Sequence, residues 1–175
     1  TKAAEQGNSN AQYCLALMYI NGYGVPVNDE TAVKWFTKAA EQGDVEAQYN
    51  LAIMYKNGDG VPVNGETAVK WYTKAAELGD VSAQYNLAMM FQFGDAVTEN
   101  DETAAQWYKK AAEQGYASAQ FNLGVMYQNG EGVTENDETA VKWYIKAAKL
   151  GNYEAQAVLG RMYDSGEGVQ KNDKI

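Results

Sequence analysis

The feature that most constrains this chain is a pattern of side chains that recurs every 36 residues. Tryptophans and glycines both follow this spacing: Trp35, Trp71, Trp107 and Trp143, and Gly7, Gly43, Gly79, Gly115 and Gly151. A unit of this length cannot bury its own apolar surface and must stack on its neighbours, as in a solenoid. The period therefore predicts one elongated array, where 175 residues would otherwise suggest one or two globular domains.

The repeat boundaries divide the chain into four full repeats and a partial repeat at each end. Residues 1–7 match residues 37–43, the tail of a helix, and residues 172–175 match residues 136–139, the start of one. We therefore expect a fragment that forms a single array over residues 1–175, with a helix tail at 1–7, full repeats at 8–43, 44–79, 80–115 and 116–151, and an incomplete repeat at 152–175. Neither end carries a recognisable polar cap, so Leu159 and Met162 are expected to expose apolar surface and to favour end-to-end stacking of chains.

Each repeat is predicted to be an antiparallel pair of helices, which makes the chain all-α. In the segment 44–79 the first helix runs over about residues 45–57, between a capping Asp44 and Gly58. The second runs over about residues 65–78, between Asn64 and Gly79. Side chains at helical spacing on facing sides predict the packing surface: Ala47, Gln48, Leu51, Ala52, Met54 and Tyr55 on the first helix, and Ala68, Trp71, Tyr72, Ala75 and Ala76 on the second.

Composition excludes several classes of function. The net charge of -9 argues against a nucleic-acid partner, because neutralising phosphates requires an excess of Lys and Arg. There is no histidine, and Cys14 is the only cysteine, so the chain lacks the usual general base and the usual ligands of a transition metal. The acidic loops do not have the ligand spacing of a calcium-binding loop. We therefore predict no metal, no cofactor and no enzymatic activity.

No apolar run approaches the ~20 residues that a membrane-spanning helix requires. The chain is accordingly predicted to be soluble, without membrane insertion. Any signal peptide would lie outside this fragment, and the compartment cannot be read from the sequence.

The side of the first helix that is not needed for stacking varies from repeat to repeat. Ile53, for example, is replaced by Met89, Val125 and Arg161. Variation at positions free of packing is where specificity for a partner can reside. The candidate binding residues on this side are Tyr49, Asn50, Ile53, Lys56, Tyr85, Asn86, Met89, Gln92, Phe93, Phe121, Asn122, Val125, Gln128 and Arg161.

The unit A-x-A-Q-Y-N-L-A-x-M-Y-x-N-G-x-G-V, followed by A-V-K-W-Y-x-K-A-A-E-x-G, resembles the Sel-1-like repeat, a relative of the tetratricopeptide repeat. The resemblance covers essentially the whole chain. It implies a right-handed superhelical α-solenoid that acts as an adaptor between proteins, with a concave surface lined by the first helices. It also implies that Asn50, Asn86 and Asn122 contact the backbone of an extended peptide. The last repeat departs from the pattern at Ala157 and Val158, and the third departs from it at Phe93 and Ala96.

Each recurring polar or aromatic residue also has a structural interpretation. The asparagines could bond inside the array, and the row Tyr13, Tyr49, Tyr85 and Phe121 could pack between helices. The tryptophans and the recurring glutamines Gln12, Gln48, Gln84, Gln120 and Gln156 favour structural roles, the former in the core and the latter on loop backbone.

The hypothesis that results is a non-enzymatic scaffold that binds an extended peptide or protein segment. The asparagines would read the backbone of that segment, and the variable side chains would select its sequence. The alternative is a structural array that acts mainly through end-to-end self-assembly.

Overall fold

The computed structural model describes residues 2–165, which form ten α-helices and no strand. The first helices of the repeats are α2 (Ser9–Asn21), α4 (Val45–Asn57), α6 (Val81–Phe93), α8 (Ala117–Asn129) and α10 (Tyr153–Ser165). The second helices are α3 (Asp29–Glu41), α5 (Gly65–Glu77), α7 (Asp101–Glu113) and α9 (Asp137–Lys149), preceded by α1 (Lys2–Glu5). The helix start predicted at residues 172–175 and the first residue of the tail predicted at 1–7 lie outside the described residues.

The helix ends follow from local side-chain chemistry. Asp44 Oδ1 accepts a hydrogen bond from the Ala47 N–H at 2.9 Å, and Gly58 after α4 has a φ of +86°. An asparagine caps every second helix from α3 to α9 in the same way, and Asn64, for example, accepts from the Thr67 N–H at 2.9 Å. These bonds satisfy backbone donors that have no partner within the helix. The predicted caps and helix bounds in the segment 44–79 are therefore confirmed to within one residue.

Two compact units, Thr1–Leu87 and Ala88–Ile175, divide the chain. In the first unit, α2 packs on α3, α3 on α4, and α4 on α5. In the second unit, α7 packs on α8, α8 on α9, and α9 on α10. Each unit buries its own set of small and large side chains, such as Ala47, Leu51 and Tyr72 in the first unit and Ala119, Leu123 and Tyr144 in the second. Full burial of a leucine-sized side chain contributes about 1.5–3 kcal/mol, so these contacts dominate the stability of each pair.

The predicted packing side chains in the segment 44–79 are buried, except that Tyr55 is half-buried. The prediction that all four tryptophans lie in the core holds only for Trp71, and Trp35, Trp107 and Trp143 are half-buried. A lysine three residues later lies over each of the four rings, including that of the buried Trp71, and the Lys110 Nζ, for example, lies 3.9 Å from the centroid of Trp107. A cation over the indole face stabilises the ring while leaving its edge in water.

The expectation of exposed apolar surface at Leu159 and Met162 was wrong. Their side chains are only 2% and 4% exposed, and they belong to one buried cluster with Tyr144. They lie on the side of α10 that packs on α9. The opposite side of α10 carries Ala157 and Arg161, which are exposed.

Candidate functional site

The predicted binding residues lie on one side of the first helices. In the first unit they form what we call the unit-1 face, all of it half-buried: Tyr49, Asn50, Ile53 and Lys56 on α4, and Tyr85 and Asn86 on α6. In the second unit they form the unit-2 face, half-buried except for the exposed Phe93 and Arg161: Met89, Gln92 and Phe93 on α6, Phe121, Asn122, Val125 and Gln128 on α8, and Arg161 on α10.

The asparagines of the unit-1 face are hydrogen-bonded on one side of the amide only. Asn50 Nδ2 donates to the Glu46 carbonyl at 2.7 Å, and Asn86 Nδ2 donates to the Ser82 carbonyl at 3.0 Å. Because a carbonyl only accepts, these contacts fix the NH₂ group inward and turn Oδ1 away from the helix. No residue between 2 and 165 donates to Oδ1 of Asn50 or Asn86. An acceptor is therefore left on this face at each of the two positions.

The same amides tie neighbouring first helices together. Asn86 Nδ2 lies 3.5 Å from the Tyr49 hydroxyl, at the outer limit of a hydrogen bond, and this contact links α6 to α4. Asn50 makes the equivalent contact with Tyr13 of α2. Burial raises the pKa of Tyr13, as do the carboxylates of Glu46 and Asp44, while the Asn50 bond opposes that rise. The intrachain bonding that the sequence left open therefore involves the amide donors of these asparagines.

The aromatic row is packed and accessible at once. The Tyr49 ring lies 5.9 Å from the Tyr72 ring, and the Phe121 ring lies 5.7 Å from the Tyr144 ring, with tilted planes in both cases. Tilted aromatic pairs at this separation are stabilising. Because Tyr49 and Phe121 are half-buried, each has one ring surface anchored in the core and another at the face.

Two glutamines of the unit-2 face have a role that the sequence analysis missed. Gln92 Oε1 accepts from the Tyr108 hydroxyl at 2.8 Å, and Gln128 Oε1 accepts from the Tyr144 hydroxyl at 2.7 Å. A comparison of the repeats could have indicated this pair. The first repeat has Phe36, which has no hydroxyl, at the tyrosine position, and it also has Ile20 at the glutamine position.

The Tyr144 hydroxyl is also sensitive to its electrostatic surroundings. Burial and the nearby carboxylate of Asp137 raise its pKa to about 12, and the cation of Arg161 opposes them. The hydroxyl therefore remains a donor at neutral pH.

The recurring glutamines of the packing side bond backbone, as predicted, but their partners are carbonyls in the last turn of the preceding helix and not in a loop. Gln48 Nε2 donates to the Ala40 carbonyl at 3.1 Å, and Gln120 Nε2 donates to the Ala112 carbonyl at 3.0 Å. Each bond satisfies a carbonyl near the end of the preceding helix. Gln12, Gln84 and Gln156 make the equivalent bond.

The described part of the chain shows no arrangement suited to a metal. No group of three or more His, Cys, Asp or Glu side chains within residues 2–165 could hold such an ion. In the same part of the chain, no helix has the length and apolar character needed to cross a bilayer.

Comparison with known proteins gives one family. The model of the Sel1 repeat matches residues 9–44, 45–80, 81–116, 117–152 and 154–175. No curated protein matches the chain significantly.

Several solved structures are similar to the chain. A protective antigen present in uropathogenic Escherichia coli strains, which displays an SLR fold, is 44% identical over 97% of this chain and 36% of its own length, with a TM-score of 0.93. A Sel1 repeat protein from Oxalobacter formigenes is 39% identical over 94% of this chain and 68% of its own, with a TM-score of 0.90. Helicobacter pylori cysteine rich protein B is 26% identical over 73% of this chain and 91% of its own, with a TM-score of 0.58. The chain thus spans only about a third of the length of the Escherichia coli protein.

Proposed function

This chain belongs to the Sel1 repeat family, whose α-solenoid members are generally non-catalytic protein–protein interaction scaffolds, and we propose that it binds an extended segment of another protein on its first-helix faces. The observation that carries the proposal is the half-paired amide of Asn50 and Asn86. Their inward NH₂ groups hold each side chain in place, and the outward Oδ1 atoms can accept N–H groups of an extended backbone.

The other side chains of the two faces supply affinity and selectivity. Tyr49 and Phe121 are rigid because their rings pack on Tyr72 and Tyr144, so contact with a partner costs little further side-chain entropy. Ile53, Met89 and Val125 offer apolar contacts, and the remaining members add polar, charged and aromatic ones: Lys56, Tyr85, Gln92, Phe93, Asn122, Gln128 and Arg161. Since Oε1 of Gln92 and Gln128 is already engaged by tyrosine, these two glutamines would use Nε2 as a donor.

A displayed library of random peptides about twelve residues long tests the proposal. Peptides selected on the wild-type chain would be measured against the double variant Asn50→Ala, Asn86→Ala. Loss of two hydrogen bonds of about 0.5–1.5 kcal/mol each predicts a Kd at least about fivefold weaker. N-methylation of the peptide should produce a comparable loss at the positions that face the asparagines.

The matched control is Gln6→Ala, which truncates an exposed amide just after α1, outside the two first-helix faces. Its Kd should equal that of the wild type. Equal binding by the double variant, with thermal melts showing that it is folded, would overturn the proposed role of the asparagines.

End-to-end self-association remains a second candidate, although Leu159 and Met162 are buried and give it no support. Sedimentation at increasing concentration tests it. A monomer whose sedimentation coefficient does not change with concentration would exclude it.

A further inference from the structure

A cavity of about 670 Å³ opens in the second unit, away from the unit-2 face. Its walls come from α7, from α8 and from the loop that joins α8 to α9. The α8 residues that line it are Leu123 and Tyr127. At about 100° per residue they lie roughly half a turn from Phe121 and Val125, so the cavity is distinct from the proposed peptide-binding face.

The floor of the cavity has a smaller side chain at one position than the other repeats have at the equivalent position. Ala105 lines it, whereas a valine stands at that position in the other complete second helices: Val33, Val69 and Val141. Ala105 is 4% exposed, and Leu123, which also lines the cavity, is 1% exposed. The missing methyl groups therefore leave room over an apolar floor.

The rim of the cavity carries a carboxylate that has no intrachain cation. Four residues after each glutamate equivalent to Glu102 stands a lysine, and in the last full repeat Lys142 Nζ lies 2.8 Å from Glu138 Oε1. At Glu102 that lysine is replaced by Gln106. Within residues 2–165, Glu102 makes no ion pair.

The other end of the cavity has the opposite charge. Lys109 lines it where Thr37 and Thr73 stand in the earlier repeats, and its Nζ lies 4.0 Å from Glu113. Seven residues separate Lys109 from Glu102, which is about 10 Å along the helix. The cavity is therefore polarised, with its unpaired acidic group at the Glu102 end.

The loop wall is fixed by direct contact of two backbones. Gly132 sits on the N-terminus of α7 so closely that a Cβ there would overlap the backbone of Asp101 and Glu102. The next residue, Val133, faces the cavity. A wall held in this way is preorganised, which reduces the cost of binding.

We propose that this cavity binds a lysine or arginine side chain of a partner protein. The aliphatic stem would pack on Ala105, Leu123 and Val133, and the cation would pair with Glu102. The charge balance supports a basic partner, because the chain has a net charge of -9 and the same loop carries Glu131 and Glu135. A long basic side chain suits both parts of the site, since it combines an apolar stem with a charged tip.

NMR titration of the ¹⁵N-labelled chain with the tripeptide acetyl-Gly-Arg-Gly-amide tests the proposal. Amide shifts should concentrate in residues 102–109 and 123–134 and should saturate. The matched probe has citrulline in place of arginine, which keeps the shape and removes the charge, and it should bind at least fivefold more weakly.

Two variants restore what the other repeats contain and should therefore fold. Ala105→Val refills the floor and should abolish the shifts. Gln106→Lys gives Glu102 a cation of its own and should weaken binding at least threefold. Unchanged titration of both variants, equal binding of the citrulline peptide, or shifts located elsewhere would each overturn the proposal.

A small amine offers the same cation and stem without a peptide backbone. n-Butylammonium should bind more weakly than the tripeptide. Equal saturation by this amine at equal concentration would overturn a protein segment as the occupant. The double variant Asn50→Ala, Asn86→Ala should titrate like the wild type, so failure of this site and failure of the proposed function are distinguishable.

Discussion

The first and last full repeats, residues 8–43 and 116–151, place their polar pairs at different positions. In the first, Gln12 Oε1 accepts a hydrogen bond from Gln42 Nε2 at 2.7 Å. In the last, Leu150 stands where Gln42 does, and Gln120 Oε1 is buried without a partner among the described residues. The tyrosine–glutamine hydrogen bond shows the opposite distribution. It is present in the last full repeat, between Tyr144 and Gln128, and absent from the first, which has Phe36 and Ile20 at these positions.

The difference shows that a recurring buried glutamine satisfies only part of its own hydrogen bonding. Its Nε2 always finds a carbonyl of the preceding helix, but its Oε1 depends on one residue thirty positions later in the chain. Gln48 behaves in the same way. Leu78 stands thirty residues after it, and Gln48 Oε1 has no hydrogen-bond partner among the described residues. A buried acceptor without a donor costs about 1–3 kcal/mol, so individual repeats differ in stability although their folds match.

The largest expected effect is a difference in stability between equivalent glycine-to-alanine substitutions in the loops of the same two repeats. Gly24 and Gly132 are equivalent, with φ of +73° and +63°, but a Cβ on Gly24 would meet only Met18 Cε, at 3.7 Å. Gly24→Ala should cost only the left-handed strain, about 1–2 kcal/mol. Gly132→Ala also forces the loop off the backbone of Asp101 and should cost at least about 3 kcal/mol. Urea unfolding measures both, and equal losses would show that the close approach at Gly132 carries no energy.

Much of this fold was predictable because its determinants are local. The period, the caps Asp44 and Asn64 and the glycine Gly58 lie within one repeat and act through the adjacent backbone. The position of Asn50 on the face was predictable from helical spacing for the same reason. Its one-sided hydrogen bonding was not, because that depends on a side-chain rotamer.

Long-range partners limited the rest of the prediction. Leu159 and Met162 were assigned to an exposed end because the sequence does not say which side of α10 packs on α9. The cavity over Ala105 was missed because a valine-to-alanine change in one repeat carries meaning only once Leu123 and the loop are placed beside it.

An intermediate effect is expected on exchanging the glutamine partners. Leu150→Gln should supply the missing donor to Gln120 Oε1 and raise the free energy of unfolding by about 1 kcal/mol. Leu150 is 57% exposed, so little burial is lost in the change. Gln42→Leu is the reverse exchange and should lower the free energy by about 1–2 kcal/mol. The interpretation is wrong if both substitutions shift the urea midpoint in the same direction.

The smallest expected effect concerns the tyrosine pair and depends on pH. The double variant Tyr144→Phe, Gln128→Ile gives the last full repeat the residues of the first, so at pH 7 its stability should lie within about 1 kcal/mol of the wild type. The pKa of Tyr144 is raised to about 12 in the folded chain from an ordinary value of 10.0. Folding therefore favours the protonated hydroxyl, and this contribution is complete below pH 10 and is lost as the pH rises through 12. Urea unfolding of both proteins between pH 8 and 12 should show the wild type losing stability relative to the variant. A difference that stays constant over this range would mean that the Tyr144 hydroxyl titrates alike in the folded and unfolded chains.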